Sequence, residues 1–363
     1  MLAEQILAFR LARSGLAARE APDLAAAARC PASDFARDAA LLALAARAEG
    51  VTRDAYDAAV DDGRLVLAHT IRCAIHAVDP ADLPLYGRGL IADDDGELAA
   101  EIGGAVPGLL EQAGVAPSEA LAEVSEAIEG ALAGGVALDK NALHDALRER
   151  VRPALLPWCP SCKSHHVAGN LWRYGTRQVG AVLDAERRYV LRRRGRAPSA
   201  AEAVRRFLSF YGPSTVTDFA AWAGMTGRHA RRLWKQVAGE LAEVRVGDEP
   251  AWLLAADEDA LDDPPEATGI RLLPPGDPFL QKPDRALLAP DAILRKELFR
   301  AVGSPGVVLK DGRLVASWKA ARRGRRLEIT VRKLGRVARG DLEEEAAAVA
   351  ALRGAADVAV VVA

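Results

Sequence analysis

The stretch SAAEAVRRFLSFYGPSTVTDFAAWAGMTGRHARRLWKQVAGELAEVRVGDEPAWLLAA, residues 199–256, contains the most informative pattern of the chain. Its first part has the periodicity of an amphipathic helix and ends at Gly212 and Pro213. A second helical segment ends at Gly224, and a third begins near Thr226. Two apolar-alternating runs follow, joined by Gly-Asp-Glu-Pro, and predict a hairpin. Three short helices and then a hairpin form the order of a winged helix, whose third helix enters the major groove of DNA.

The third helix of this stretch carries the residues that we predict to contact DNA. Its apolar positions recur at helical spacing and predict a buried side, which turns most of the polar side chains outward. The alternative is an ordinary solvated helix face. Contact with DNA is favoured because the charges are all positive and lie on the element expected to dock. The predicted DNA-binding residues are Arg228, His229, Arg231, Arg232 and Lys235.

The composition is that of an ordinary globular protein, and the positive charge is concentrated in two segments. The 363 residues are 50% hydrophobic and 27% charged, with a net charge of −2. A charge this small excludes a strong attractive field over the whole molecule. However, Lys163–Lys235 contains fifteen Lys and Arg residues against four acidic ones, and Arg313–Arg339 contains ten against one. These two basic segments predict a localised phosphate-binding face.

The chain shows no signal for a membrane. It has no apolar run of about 18 residues, the length needed to span a bilayer. Its N-terminal segment resembles a charged amphipathic helix rather than a signal peptide. We therefore expect a cytoplasmic protein without membrane contact, and we expect a monomer. The four cysteines are then expected to be reduced thiols or metal ligands rather than disulfides.

The order of helical and strand patterns along the chain predicts an α+β protein that is mainly helical. It comprises three tandem winged-helix units followed by a C-terminal β-rich, barrel-like domain. In the last domain, the segment GVVLKDGRLVASWK predicts a hairpin with Asp311 and Gly312 in its turn. The predicted domains are residues 1–90, 91–196 and 197–257 for the winged-helix units, and 258–363 for the β-rich domain.

Cys159 and Cys162 are separated by two residues and are followed by His165 and His166. This spacing is typical of half of a zinc site, in which two thiolates share one ion and a nearby histidine reaches it. The second histidine would complete the set of four ligands. The alternative is a pair of buried cysteines at a helix start, beside partly exposed histidines. We therefore predict a structural zinc ion as an option, with no cofactor required for function.

Ser33 and Asp34 lie just before the apolar helical stretch Ala39–Ala48. A carboxylate at a helix start usually caps the helix or interacts with its dipole. Beside a DNA-binding surface the same carboxylate could activate a water molecule. The residues alone favour the capping role. The sequence has no phosphate-binding glycine loop in a strand-to-helix context, no Gly-x-Ser-x-Gly elbow and no HExxH motif.

The sequence resembles the winged-helix DNA-binding proteins that include the AlkZ and YcaQ DNA glycosylases. The resemblance covers nearly the whole length and rests on six segments in the same order: EQILAFRLARSGL, RLVLAHTIRCAIHAV, LPWCPSCKSHH, FLSFYGPSTVTDFAAWAG, LLPPGDPFLQKPDRALLAPD and VGSPGVVLKDGRLVASWK. It implies three winged-helix units and a β-rich domain that together form a basic cradle for duplex DNA. The glycosylases of this family cleave the N-glycosidic bond of alkylated bases, including interstrand crosslinks.

In those glycosylases a Gln-x-Gln or Gln-x-Asp motif before the second apolar helix positions the attacking water. The matching positions here are Ser33, Asp34 and Phe35, so neither glutamine is present. A shift by one residue would place Asp34 at the carboxylate position and Ala32 at the first position. The resemblance therefore gives Ser33 and Asp34 as candidate catalytic residues. Three functions stay open: a DNA glycosylase, a non-catalytic DNA-binding or transcription-regulatory protein, and a structural, zinc-stabilised interaction protein that does not bind DNA.

Overall fold

The computed structural model describes residues 3–192, 195–300 and 302–362. Outside this description lie the side chains of Lys282 and Asp284 and, from the first basic segment, Arg193 and Arg194. We number helices and strands in chain order. Up to residue 192 they are α1 (Ala3–Arg13), α2 (Leu24–Ala27), β1 (Ala32–Ser33), α3 (Ala39–Ala45), α4 (Arg53–Asp61), β2 (Val66–His69), β3 (Ile75–Val78), α5 (Leu83–Tyr86), α6 (Asp95–Ile102), α7 (Val106–Ala113), α8 (Pro117–Leu132), α9 (Lys140–Arg148), β4 (Trp158–Cys159), β5 (Ser164–His165), α10 (Gly169–Val179), β6 (Ala181–Leu183) and β7 (Tyr189–Leu191).

The second part of the chain begins with helices and ends with a sheet. Its elements are α11 (Glu202–Tyr211), α12 (Val216–Ala223), α13 (Gly227–Gln236), β8 (Leu241–Val246), β9 (Glu249–Leu254), α14 (Glu258–Asp262), β10 (Ile270–Leu273), α15 (Lys282–Leu288), α16 (Ala292–Leu298), β11 (Gly306–Lys310), β12 (Arg313–Arg323), β13 (Arg326–Lys333), α17 (Arg339–Leu352) and β14 (Asp357–Val362). The mixed class of helices and strands predicted from the sequence is confirmed. None of the helices in the described ranges is both long and apolar enough to cross a membrane.

The chain forms two compact units, each built from separate segments. Unit 1 consists of Met1–Ala59, Arg205–Asp218 and Ala238–Ala363, and unit 2 consists of Val60–Val204 and Phe219–Val237. The boundaries of the four consecutive domains, and the number of winged-helix units among them, stay predictions.

Unit 1 contains a five-stranded sheet with the order β10-β11-β12-β13-β14. Neighbouring strands are antiparallel except β13 and β14, which are parallel. The parallel pair requires a crossover connection, which α17 supplies. Asp311 and Gly312 form the two-residue turn between β11 and β12 with φ of 48° and 73°. This turn, which needs positive φ at both positions, was predicted from the sequence.

The sheet of unit 1 is open, since β10 and β14 lie at its two edges. The barrel-like closure expected from the sequence is therefore wrong for the described residues. A barrel needs the two edge strands to pair with each other. Instead, α17 packs against β10, β13 and β14, so a helix buries the apolar side chains that a barrel would enclose.

The core of unit 1 joins the N-terminal helix to this sheet. Leu11 of α1 and the following Leu16 belong to the same buried cluster as Leu273, Phe279 and Val307. These residues come from opposite ends of the sequence, so the first helix depends on the C-terminal strands for its apolar contacts. Burying side chains of this size stabilises a fold by about 1.5–3 kcal/mol each.

Unit 2 combines helices with four antiparallel strands in the order β3-β2-β6-β7. The segment RLVLAHTIRCAIHAV forms the hairpin β2–β3. Helix α8 packs closely against α10 at Gly175, where an added Cβ atom would lie 2.8 Å from Ile128 Cδ1 and 2.9 Å from Val124 Cγ1. A glycine is therefore required at this helix crossing.

The stretch 199–256 contains the predicted elements in the predicted order: α11, α12 and α13, followed by the hairpin β8–β9. The side chain of Thr226 accepts a hydrogen bond from the N–H of His229 and caps α13. On this helix Ala230 and Leu233 are buried, as the apolar pattern indicates. The winged-helix interpretation of these elements stays a prediction.

Candidate active site and DNA-binding residues

Ser33 and Asp34 precede α3 in unit 1. Asp34 is 4% exposed, and its Oδ1 accepts a hydrogen bond from the N–H of Ala40 at 3.1 Å. The first N–H groups of a helix have no partner inside it, so a carboxylate here satisfies one of them and interacts favourably with the helix dipole. Asp38, which directly precedes the helix, makes no such side-chain bond. The capping role favoured by the sequence is therefore what the geometry of Asp34 shows.

The residues on either side of Asp34 are more exposed than Asp34 itself. Ser33 is half-buried and faces the backbone of Gly276, where an added Cβ atom would lie 3.9 Å from Ser33 Oγ. The next residue, Phe35, is 93% exposed. One short segment thus presents a buried carboxylate, a half-buried hydroxyl group and a fully exposed ring.

The segment that faces Ser33 is held by a buried ion pair between Arg47 and Asp277. Arg47 is 2% exposed and donates to both carboxylate oxygens of Asp277, at 2.9 Å and 2.8 Å. It also donates to the carbonyl oxygens of Ser14 and Ala43. Burial lowers the pKa of Arg47, but the adjacent Asp277 carboxylate outweighs this effect, so the pKa is raised. The guanidinium therefore stays charged and fixes α3 against the Asp277 segment.

Tyr211 adds a second buried anchor to the same region of unit 1. Its hydroxyl group donates to the carbonyl oxygen of Pro278 at 2.8 Å and lies 3.3 Å from the sulfur of Cys30. Sequence reasoning missed Tyr211, Arg47 and Asp277. The available signal was Arg47, which lies just after α3 within the apolar stretch Ala39–Ala48, together with the aspartate inside PPGDP. Buried charges of this kind are rare unless they are paired.

Unit 1 also contains a basic hairpin, β12–β13. Several of its arginines have partners: Arg326 lies 3.3 Å from a carboxylate oxygen of Asp357, and Arg322 donates to the carbonyl oxygens of Arg353 and Gly354. Arg325, in the exposed turn, forms no ion pair within the described ranges. A cation at the tip of a hairpin is well placed to contact a phosphate group.

In unit 2, the predicted DNA-binding residues of α13 divide into two groups. Arg228 and Arg232 both donate to Glu97 of α6, at 2.8 Å for Arg228 and at 3.0 Å and 2.8 Å for Arg232. Arg228 also donates to Asp94, and His229 Nδ1 lies 2.9 Å from a carboxylate oxygen of Glu101. These three basic residues are thus paired with acidic groups of their own unit.

Glu97 is the centre of this ion-pair network. It is 2% exposed, and burial alone would raise the pKa of its carboxyl group. The hydrogen bonds from Arg232, supported by Arg228, outweigh burial and hold the pKa of Glu97 at about 2. Glu97 is therefore ionised at neutral pH, and its charge is balanced by two arginines.

Arg231 and Lys235 form the other group on α13. Both are exposed, and neither takes part in an ion pair in the part of the chain that the structure describes. They retain the charge that phosphate contact requires. All five residues stay predicted DNA ligands, but α6 holds Arg228, His229 and Arg232 together while Arg231 and Lys235 face outward. The signal that the sequence offered for this division was the acidic segment DDDGELAAE.

Of the four predicted metal ligands in unit 2, three lie close together and one does not. The ligand atoms of Cys159, Cys162 and His166 all lie within 4.8 Å of one another. The main-chain N–H of Cys162, followed by the side chain of His166, lowers the pKa of Cys159 to about 7. In contrast, His165 is exposed, and its Nδ1 lies 2.8 Å from the carbonyl oxygen of Leu156. The structure therefore brings three of the four predicted ligands together.

Comparison with known proteins identifies the family of this chain. The chain belongs to the AlkZ-like DNA glycosylase family, whose model matches residues 31–352. This confirms the resemblance inferred from the six sequence segments.

One sequence match and one structural match from Streptomyces sahachiroi illustrate the relationship. An interstrand DNA cross-link repair glycosylase is 35% identical over 137 residues, which are 34% of this chain and 36% of that protein. The matched part thus spans about a third of the length of this curated relative. The solved structure of the DNA glycosylase AlkZ matches with a TM-score of 0.76 and 24% identity, over 99% of this chain and 98% of the other. This structural likeness shows a shared fold.

Proposed function

We propose that the protein is a DNA glycosylase that hydrolyses the N-glycosidic bond of alkylated bases in double-stranded DNA. Family membership supports the reaction class. The name of the Streptomyces relative suggests bases within interstrand crosslinks as further substrates. The observation that carries the proposal is Asp34, a buried carboxylate anchored at the start of α3, beside the half-buried hydroxyl group of Ser33.

The proposed reaction requires little from the protein because the substrate is already activated. A purine alkylated at N7 or N3 is positively charged, which weakens its bond to the sugar. As the bond between C1′ and the base nitrogen breaks, its electron pair neutralises the base and positive charge develops on the sugar. The Asp34 carboxylate would stabilise that charge and accept a proton from the water that bonds to C1′. Ser33 would help to orient this water.

Basic side chains would hold the duplex without reading its sequence. Arg325 in unit 1, and Arg231 and Lys235 in unit 2, are exposed cations without ion pairs within the described residues. Contacts of this kind with phosphates position DNA and supply most of the non-specific affinity. The exposed ring of Phe35 would contact a base or fill a gap in the stack, since aromatic rings stack on any base. A damaged base leaves the stack at lower cost than an intact pair.

The experiment that tests this proposal measures base release from a duplex containing one N7-methylguanine. Abasic sites are converted to strand breaks and quantified over time under single-turnover conditions. Since a general base contributes about 10²–10⁴-fold, the substitution Asp34→Asn should lower the rate at least about 100-fold. The amide keeps an oxygen to cap α3 but cannot accept the proton.

Asp23→Asn is the matched control, because Asp23 caps α2 in the same unit by accepting from Ala26 N–H at 2.8 Å. This variant should keep the wild-type rate. No release by the wild-type protein above buffer would refute the proposed reaction, and full activity of Asp34→Asn would refute the role of the carboxylate.

A second candidate function is non-catalytic DNA binding, including a role in transcription. Two observations favour it: neither glutamine of the family's water-positioning motif is present, and Asp34 is engaged at the start of α3. Under this alternative the protein binds the alkylated duplex, with an affinity that falls as salt rises, but releases no base. Binding measured by fluorescence anisotropy, beside the release assay, separates the two functions.

A further inference from the structure

The hairpin formed by β4 and β5 in unit 2 presents a cluster of metal-binding side chains that the proposed reaction does not use. Cys159 pairs with Ser164, and the turn between the strands contains Cys162 and then Lys163, whose φ of 51° is left-handed. This tight turn brings both sulfur atoms to one side. Together with His166, which follows β5, the ligand atoms lie within 4.8 Å of one another.

The hydrogen bond of His166 identifies which ring nitrogen is able to bind a metal. Its Nδ1 lies 2.8 Å from the carbonyl oxygen of Val167. A carbonyl oxygen only accepts, so Nδ1 carries the proton and Nε2 carries the lone pair. That Nε2 atom is buried and has no hydrogen-bond partner among the described residues. Metal-ligating histidines usually have this arrangement, with the second nitrogen bound to a carbonyl or carboxylate oxygen.

His144 of α9 lies in the same region, and its side chain is buried. It is 6% exposed, and neither of its ring nitrogens has a hydrogen-bond partner among the described residues. Its ring lies 4.7 Å from the ring of His166, centroid to centroid. A buried polar group without a partner destabilises a fold. Coordination to a metal ion would supply the missing partner for both histidines.

We propose that unit 2 binds one zinc ion through Cys159 Sγ, Cys162 Sγ and His166 Nε2, with His144 as the fourth ligand. Two sulfur and two nitrogen donors match the tetrahedral set that zinc prefers. The ion would connect α9 to the β4–β5 hairpin and thereby stabilise unit 2. In this set His144 replaces His165, which the sequence spacing suggested. His144 lies 22 positions before His166 in the chain.

The first test measures bound metal in the full-length protein purified without chelators. Elemental analysis should give about one zinc per chain for the wild-type protein. His166→Ala should retain less than a tenth of that zinc, because losing a ligand weakens binding by more than about 100-fold. His165→Ala is the matched control, since His165 is adjacent but exposed, and it should retain all of the zinc. Absence of zinc from the wild-type protein, together with no binding of added zinc, overturns the proposal.

The second test assigns the ligands by replacing zinc with cobalt(II). A tetrahedral site with two thiolates should give intense visible absorption and sulfur-to-cobalt charge-transfer bands. Cys162→Ser should lose the charge-transfer intensity of one thiolate, and His144→Ala should weaken metal affinity as much as His166→Ala. An unchanged spectrum and affinity for His144→Ala would exclude it as the fourth ligand.

If a cysteine variant fails to fold, the wild-type protein still provides the result. Modification of its thiols by a mercurial reagent should release zinc, which a chromogenic chelator detects. The release should parallel the loss of the two thiols. Zinc release without thiol modification would overturn the assignment of the cysteines. These measurements do not depend on base release, so their failure is distinct from failure of the proposed glycosylase reaction.

Discussion

Removal of the Asp277 carboxylate should destabilise unit 1 more than almost any other single change. The Asp277 side chain is completely buried, it binds both terminal nitrogens of Arg47, and it accepts the N–H of Phe279 at 2.9 Å. Asp277→Ala leaves a buried guanidinium without its counter-charge. Breaking a buried ion pair in this way costs about 3–5 kcal/mol. With a urea m-value of about 2 kcal/mol/M, the unfolding midpoint should fall by about 1.5–2.5 M.

The measurement is urea unfolding followed by circular dichroism, and two further variants identify the cause. Replacing both partners, as in Arg47→Met with Asp277→Leu, removes the unpaired charge and should recover much of the loss. Asp62→Ala serves as the control for an exposed pair, because Asp62 and Arg64 are both mostly solvent-exposed. Its midpoint should hardly change. A shift below about 0.5 M for Asp277→Ala, or a double variant less stable than the single one, would refute the reasoning.

Three further predictions follow from features of the two units. Glu97 has a pKa of about 2, below its ordinary value of 4.5. Its ionised form therefore contributes its full stabilisation above about pH 4.5, and this stabilisation is lost as the pH falls through 2. In acid unfolding, Glu97→Gln should flatten this part of the curve of stability against pH. Gly175→Ala should destabilise unit 2 by about 1–3 kcal/mol in thermal unfolding, because the added Cβ atom would lie 2.8 Å from Ile128 Cδ1. Adding Ile128→Val to the same chain removes that methyl group and should restore part of the lost stability. Arg325→Ala should make the slope of log K for duplex binding against log salt concentration shallower by about 0.9, the value of one phosphate contact. Anisotropy titrations at several salt concentrations measure this slope, and an unchanged slope would exclude the contact.

The parts of the fold that were predicted from the sequence depend on local chemistry. The turn at Asp311 and Gly312 requires two positive φ angles, and the Asp-Gly pair supplies them. In the same way, Asp139 directly precedes α9, and its carboxylate caps the helix by accepting hydrogen bonds from the N–H groups of Asn141 and Ala142. In such cases the determining interactions lie within a few residues, so the sequence alone contains the information.

The parts that were not predicted depend on residues far apart in the sequence. Charge counting identified the basic side of α13 but not its partner, since Glu97 precedes Arg232 by 135 residues. The pair between Arg47 and Asp277 spans 230 residues. The open sheet was missed for the same reason, because strand patterns show which segments are strands but not whether the edge strands meet. Only the packing of α17 on the sheet decides that.

The interleaved construction of the two units has a consequence for synthesis on the ribosome. Unit 1 takes its first helices from the start of the chain and its sheet from the end. While residues 60–204 are being made, Leu11 and Leu16 have none of the partners at Leu273 and Val307 that later cover them. Unit 1 therefore acquires its core only when translation is nearly complete. A nascent chain that stalls before β11 exposes apolar α1 side chains, so late translational arrest should yield aggregates or chaperone-bound chains rather than a folded N-terminal half.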